Sequence, residues 1–280
     1  MVRKVLMAAV LLFPVVAAAQ TAPKYEVYAV RYATLPQFDV ADLVKGADPA
    51  RKMDIAMILW LVRGNGRTVL VDSGFYRPQF FKDWKVKDYV RPDEALKEFG
   101  VKPEDVTDVI ITHMHWDHVD GADLFPKARI WIQKDEYSYY TGMAWQSGQG
   151  EHTHGGIDPD DVLMMVKKNV GGQVKLVAGD AQEILPGITC YIGGKHTYQS
   201  QYVTVATAHG TVVLASDNMY LYENLDKHAP IAATLDADSN LKAQDRMKTL
   251  ATKPEWIVPG HDPAEFTRFP KVAEGVVRVD

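Results

Sequence analysis

The sequence predicts an α/β fold in which helices pack on the outside of sheets. Three observations carry this. β-rich apolar runs interleave with amphipathic stretches along the whole chain, nearly half of the 280 residues are apolar, and no Pro/Ser/Gly-rich linker or repeat divides them. That length and continuity point to one domain over residues 20–280.

The first element is not part of that fold. MVRKVLMAAVLLFPVVAAAQ has a basic start at Arg3 and Lys4, an apolar run from Val5 to Val16, and small residues at Ala17 and Ala19. This is the pattern of a cleavable signal peptide over residues 1–19, and the run is too short for a stable membrane anchor. The expected location is periplasmic or secreted. Removing the segment takes away two positive charges from a formal −5, leaving about −7, so nucleic acid is not an expected partner. The single cysteine, Cys190, has no internal partner, so the core alone must hold the exported fold.

Strands are expected at YEVYAVRYA (25–33), DIAMILWLVRG (54–64) and RTVLVDSG (67–74), each bounded by polar or glycine-rich turns. PDEALKEFG (92–100) reads as a short helix closed by Gly100, ahead of a buried strand in DVIITH. ARIWIQ, ITCYIGG, YVTVATA and TVVLAS read as further strands, and DDVLMMVKKN and SNLKAQDRMKTLA as helices with polar caps. Periodicity leaves the sheet topology open. The aromatic segment 75–89, FYRPQFFKDWKVKDY, reads either as packing beside a core strand or as the wall of a substrate mouth, with packing favoured.

The chemistry concentrates in THMHWDHVDG (112–121). His113 and His115 lie two apart, so in an extended loop leaving a strand they point to one side, while Asp117 and His118 follow at a turn. One loop therefore offers two ligand sets of imidazole and carboxylate, donors that suit Zn, Fe or Mn. A solvated polar loop is the alternative. It would leave four donors in six residues unpaired behind a buried strand, and metal binding is the favoured reading. His152 and His154 in GEHTHGG also read H-x-H, but they sit in a glycine-rich loop with no strand before them and are read as loop residues; His209 and His228 are given no role.

HMHWDH resembles the H-x-H-x-D-H motif of the metallo-β-lactamase superfamily. The resemblance implies an αββα sandwich, two mixed sheets with helices outside, and one or two metal ions held at strand ends. Further segments resemble the family pattern in its order: LVDSG with Asp72, which implies a carboxylate supporting the histidine loop; GGKHTYQSQ with His196; LASDNMY with Asp217; IVPGHD with His261. By that resemblance His113, His115 and His196 hold one metal, Asp117, His118 and His261 hold the second, and Asp217 bridges two divalent ions, expected to be Zn(2+). The chain departs from the family at Lys195-His196-Thr197-Tyr198-Gln199, where the usual reading is Gly-His-Thr-Pro-Gly.

Within the superfamily, Asp217 at the bridging position counts against the best-known zinc β-lactamases, and 19 residues after His261 leave no room for the helical domain of glyoxalase II. The acidic mature chain counts against the nucleases, and His115 against the flavodiiron branch. What remains resembles the N-acyl homoserine lactonases, whose tyrosine three residues past the bridging aspartate corresponds to Tyr220. Tyr220 is either a donor to the developing oxyanion or an ordinary core aromatic. The implied activity is the opening of small-molecule lactone or ester substrates by a metal-bridging hydroxide, with Asp117 passing a proton to the leaving alkoxide. Exported hydrolases of organophosphates or β-lactams, and a non-catalytic metal-binding protein, are the alternatives.

Overall fold

The structure is a computed structural model that describes residues 24–146 and 155–280. The signal-peptide segment and the His152/His154 pair lie outside the described residues. Thirteen strands are described: β1 (Glu26–Asp39), β2 (Lys52–Gly64), β3 (Arg67–Val71), β4 (Asp108–Ile110), β5 (Arg129–Gln133), β6 (Val174–Val177), β7 (Gln182–Leu185), β8 (Ile188–Ile192), β9 (Gln201–Ala206), β10 (Thr211–Ser216), β11 (Ile257–Pro259), β12 (Lys271–Ala273) and β13 (Val276–Arg278). They form two sheets, in the orders β12-β13-β1-β2-β3-β4-β5-β6 and β11-β10-β9-β8-β7. Both are mixed. β3 to β6 run parallel in the first, β10 and β11 in the second, and the remaining pairs are antiparallel.

The layering follows from the period-two alternation of a strand whose faces are both covered. Along β2, Ala56, Ile58, Trp60 and Val62 enter a core shared with Val203, Val205, Val212 and Leu214 of the second sheet. The intervening Ile55, Met57, Leu59 and Leu61 face the opposite way, into a core with Leu96, Val119 and Met165. The outer face of the second sheet packs Tyr202, Val213 and Ala215 on Ala243 and Met247 of the helix Ala237–Leu250. Helix, sheet, sheet, helix is therefore the order of layers, the expected αββα sandwich. Fully burying each large apolar side chain contributes on the order of 1.5–3 kcal/mol, which lets a chain whose one cysteine is buried and unpaired hold together.

The expected elements are present with shifted ends. β1 runs to Asp39, past the expected Ala33, with register shifts between Arg31 and Ala33 and between Leu35 and Phe38 that bend it over the site. The helix expected at 92–100 is one α-turn, Pro92–Ala95, continued as a 3-10 turn to Phe99 and closed by left-handed Gly100. The strand in DVIITH ends at Ile110; Ile111 N still bonds Trp131 O, and from Thr112, whose N–H turns to Asp72, the chain leaves the ladder to carry the ligand loop. The expected 160–169 helix spans Pro159–Val170 with Asp158 capping it through the Asp160 N–H. No helix among the described residues is long and apolar enough to cross a membrane.

Candidate metal centre

The site lies where β3, β4, β10 and β11 end. Each end is shaped by an unusual backbone. Asp72 follows β3 with φ 60°, and Ser216 ends β10 with φ 47°, both in the left-handed region. A side chain on Gly260, after β11, would put its Cβ 2.6 Å from Asp217 Oδ1, so only glycine lets His261 and Asp217 approach from neighbouring strands. Asp117 and His118, expected at a turn, occupy the single helical turn Trp116–Val119.

Asp72 is fully buried and orders the loop. It accepts from Thr112 N at 2.8 Å, Thr112 Oγ1 at 3.0 Å, Ser216 Oγ at 2.9 Å and His118 Nδ1 at 2.8 Å. With Nδ1 donating, His118 turns the lone pair of Nε2 inward. His196 and His261 are set the same way, their Nδ1 atoms donating to the carbonyls of Ala233 (2.8 Å) and Ala56 (2.9 Å). This is the arrangement by which proteins fix ligand imidazoles.

The inward atoms fall into two groups, His113/His115/His196/Asp217 and Asp117/His118/His261, the ligand atoms within each group lying within 4.8 Å of one another. In the first, His115 Nδ1 sits 3.0 Å from His113 Nε2 and 2.9 Å from His196 Nε2. Asp217 joins the groups. Its Oδ2 faces His113 (3.6 Å) and His196 (3.4 Å), while its Oδ1 faces His261 (3.0 Å) and His118 (3.3 Å). Asp117 Oδ2 completes the second group at 3.3 Å from His118 Nε2 and 3.7 Å from His261 Nε2.

Two observations say these residues fit divalent cations. Asp217 Oδ1 and His118 Nε2 are buried atoms without a hydrogen-bond partner, a costly state that a coordinate bond relieves. Burial and the neighbouring imidazoles also hold His113 and His115 far below the usual histidine range, His115 at about 3, so both offer lone pairs at neutral pH. His118 is the opposite case: burial lowers it, but the carboxylates of Asp117, Asp217 and Asp72 together raise it well above its ordinary value. A metal held at Nε2 would take the place of that proton.

A cavity of about 270 Å³ opens above the two groups. Leu35, Phe38, Leu43, Ile55, Trp84 and Trp116 line it, with Asp42 at its rim and Tyr220 at its floor. Tyr220 is buried, its hydroxyl 3.4 Å from His196 Nδ1, and burial followed by the Asp217 charge raises its pKa so that it keeps its proton. The aromatic segment 75–89 serves both purposes foreseen for it: Phe75 and Phe80 are core residues, whereas Trp84 stacks between Phe38 and Trp116 and forms one wall of the cavity. Gly156 closes the other side, its carbonyl accepting from Trp116 N at 3.0 Å; a Cβ there would lie 2.9 Å from the His115 ring. His209 and His228 stand away from the site on surface contacts with Asp280 and Asp245.

Glu136, Gly156 and Gly260 were not singled out from the sequence. For Gly260 there was a signal, a glycine immediately before a ligand histidine at a strand end. Glu136 gives none, lying in KDEYSYY like any surface acid of a helix, yet it is fully buried against the ligand loops.

The profile of the Metallo-beta-lactamase superfamily matches residues 59–261. An N-acyl homoserine lactonase of a Bacillus species is 26% identical over 229 residues, covering 76% of this chain and 84% of that protein. The solved structure of a point mutant of B. thuringiensis AiiA with N-decanoyl-L-homoserine bound at its active site superposes with a TM-score of 0.69 at 22% identity, covering 89% of this chain and 98% of that one. AidC, a dizinc quorum-quenching lactonase solved with its product, gives 0.64 at 15% identity, over 87% and 89% of the two chains.

Proposed function

Because this chain belongs to the metallo-β-lactamase superfamily, we propose that it is a two-metal hydrolase that opens the lactone ring of N-acyl homoserine lactones. The observation that carries the reading is Asp217, whose two carboxylate oxygens face two separate ligand groups at the floor of an apolar cavity. Divalent ions bound there supply Lewis acidity and lower the pKa of a coordinated water.

The protein's own residues do the rest. The Tyr220 hydroxyl, protonated at neutral pH, donates to the substrate carbonyl oxygen as negative charge develops on it. Asp117, on the cavity wall, takes up the proton lost by the attacking water and passes it to the leaving alkoxide. Leu35, Phe38, Leu43, Ile55 and the two tryptophans take an acyl arm out of water. Among the described residues lining the cavity there is no lysine or arginine, so the carboxylate of a β-lactam would meet Asp42 and find no cationic side chain to pair with. That favours neutral lactones. With the charged and apolar pattern of residues 1–19, the reaction is assigned to the protein after export.

The test is turnover by the Zn(2+)-loaded mature enzyme on a panel of N-acyl homoserine lactones, organophosphates and β-lactams, followed for lactones by proton release. Lactone opening with the highest kcat/KM supports the assignment. No lactone turnover beside clear hydrolysis of another class sinks it while leaving the metal centre in place.

A further inference from the structure

The helix Lys134–Tyr140 follows β5 directly and lies outside the substrate cavity. Its Glu136 and Tyr140 are one turn apart, so they share a face. Both are buried, and both reach into the ligand loops. Glu136 Oε1 accepts from Met114 N at 3.0 Å and from Thr197 Oγ1 at 2.7 Å, and Oε2 accepts from Gln199 N at 2.6 Å. The Tyr140 hydroxyl accepts from Tyr198 N at 3.2 Å. Three consecutive residues after His196 are thus gripped from one helix.

The remaining contacts tighten the same loop. Tyr198 stacks flat on Tyr139, with ring centroids 3.9 Å apart and planes 5° apart, and Lys195 Nζ donates to Tyr198 O at 2.7 Å and Gln199 Oε1 at 2.9 Å. This is the segment where the chain departs from Gly-His-Thr-Pro-Gly. Tyrosine in place of proline brings a backbone N–H, and the Tyr140 hydroxyl receives it.

Met114 stands between His113 and His115, and Thr197 follows His196. One carboxylate therefore spans the two loops that supply the first ligand group, through short charge-assisted bonds. We propose that Glu136 is a positioning residue: it fixes the H-x-H loop against the His196 loop and so sets the affinity of the His113/His115/His196 group for its metal, without touching metal or substrate. The proposal rests on the two-metal reading. It also predicts selectivity, since no hydrogen bond of Glu136 reaches Asp117, His118 or His261.

Glu136→Gln keeps the shape but sets an NH2 against a backbone N–H. The Zn(2+)-loaded full-length mature protein is titrated with a competing chelator and the metal retained is counted. Wild type should hold two equivalents. E136Q should release one of them at about 10- to 100-fold lower chelator and keep the other at the wild-type affinity. The retained equivalent should match the one left in His196→Ala, and E136Q/H196A should hold it as tightly as H196A alone. Both equivalents held as in wild type, or both loosened alike, overturns the proposal, because a merely structural carboxylate gives one of those results.

If E136Q does not fold, Tyr140→Phe carries the test: it keeps the ring, removes one acceptor, and should loosen the same single equivalent by a few-fold. No change there overturns the proposal equally. Wild type that takes up one equivalent refutes the two-metal reading by itself, and the proposal then depends on whether E136Q loosens that one; uptake of none refutes both.

Discussion

Two buried clusters of titratable groups flank the turn that runs from Trp116 to Asp120, and they neutralise their charge differently. On one side Arg77 bonds Asp120 and Asp161, lies 3.1 Å from Asp158, and is 3.3 Å from Asp160. On the other, Asp72, Asp117 and Asp217 are paired with histidines, and among the described residues no lysine or arginine reaches them. Asp120 completes the first cluster by accepting from the backbone N–H of Tyr76 and Arg77. Its one unpaired buried oxygen, Asp161 Oδ2, belongs to a carboxyl that burial, and then the Asp120 charge, push up to about 9, so it carries a proton at neutral pH. The ligand cluster, with no lysine or arginine reaching it among the described residues, leaves Asp217 Oδ1 and His118 Nε2 without partners. A buried anion needs a positive partner, and the chain supplies it as arginine in one place and leaves it to metal ions in the other.

That contrast breaks most visibly at Asp217. Asp217→Ala should lower kcat/KM on the order of a thousandfold and reduce bound metal by at least one equivalent, because both groups lose their shared carboxylate. Elemental analysis beside kinetics checks both, and unchanged metal content would mean Asp217 bridges nothing. Tyr220→Phe keeps the ring and should leave both metals in place while kcat/KM falls about tenfold to a thousandfold, the size of one lost donor. Full activity in that variant would make Tyr220 a packing aromatic.

Arg77→Met attacks the other cluster. It strands Asp120 and Asp161 without their cation and should cost about 3–5 kcal/mol, lowering Tm by roughly 10 °C, with metal content unchanged in protein that remains folded. Thermal melts with and without chelator separate the clusters: chelator should destabilise wild type, and Arg77→Met should lose stability in either condition. The effect at Asp161 is read in its pH dependence. Because its folded pKa is raised, the stability it contributes is complete below about pH 4 and is lost as pH rises toward 9. Asp161→Asn carries no such titration, so its Tm relative to wild type should rise steadily from pH 5 to pH 8.5; a pH-independent difference would refute the assignment.

The sequence made the metal ligands legible because they cluster locally and recur at strand ends in one order. His113, His115, Asp117 and His118 lie within six residues, and Asp72, His196, Asp217 and His261 each follow an apolar run. The long strands were legible for the same reason, as extended β-branched runs. β6, β7, β11 and the β12–β13 hairpin are three or four residues each, too short to show a period, and they are strands because a neighbour offers a ladder. Glu136 and the Arg77 partners were hidden for a different reason. Glu136 meets Met114 and Gln199 across 22 and 63 residues, and Arg77 meets Asp161 across 84, distances that no local pattern spans.

The central claim is that two ligand groups share one carboxylate and hold two ions. The direct measurement is metal content of the purified mature protein after chelation and reconstitution with Zn(2+), read by elemental analysis against protein concentration. Two equivalents in wild type, falling to one in His196→Ala with the other retained, is the predicted result. One equivalent or fewer in fully folded wild-type protein would contradict the account.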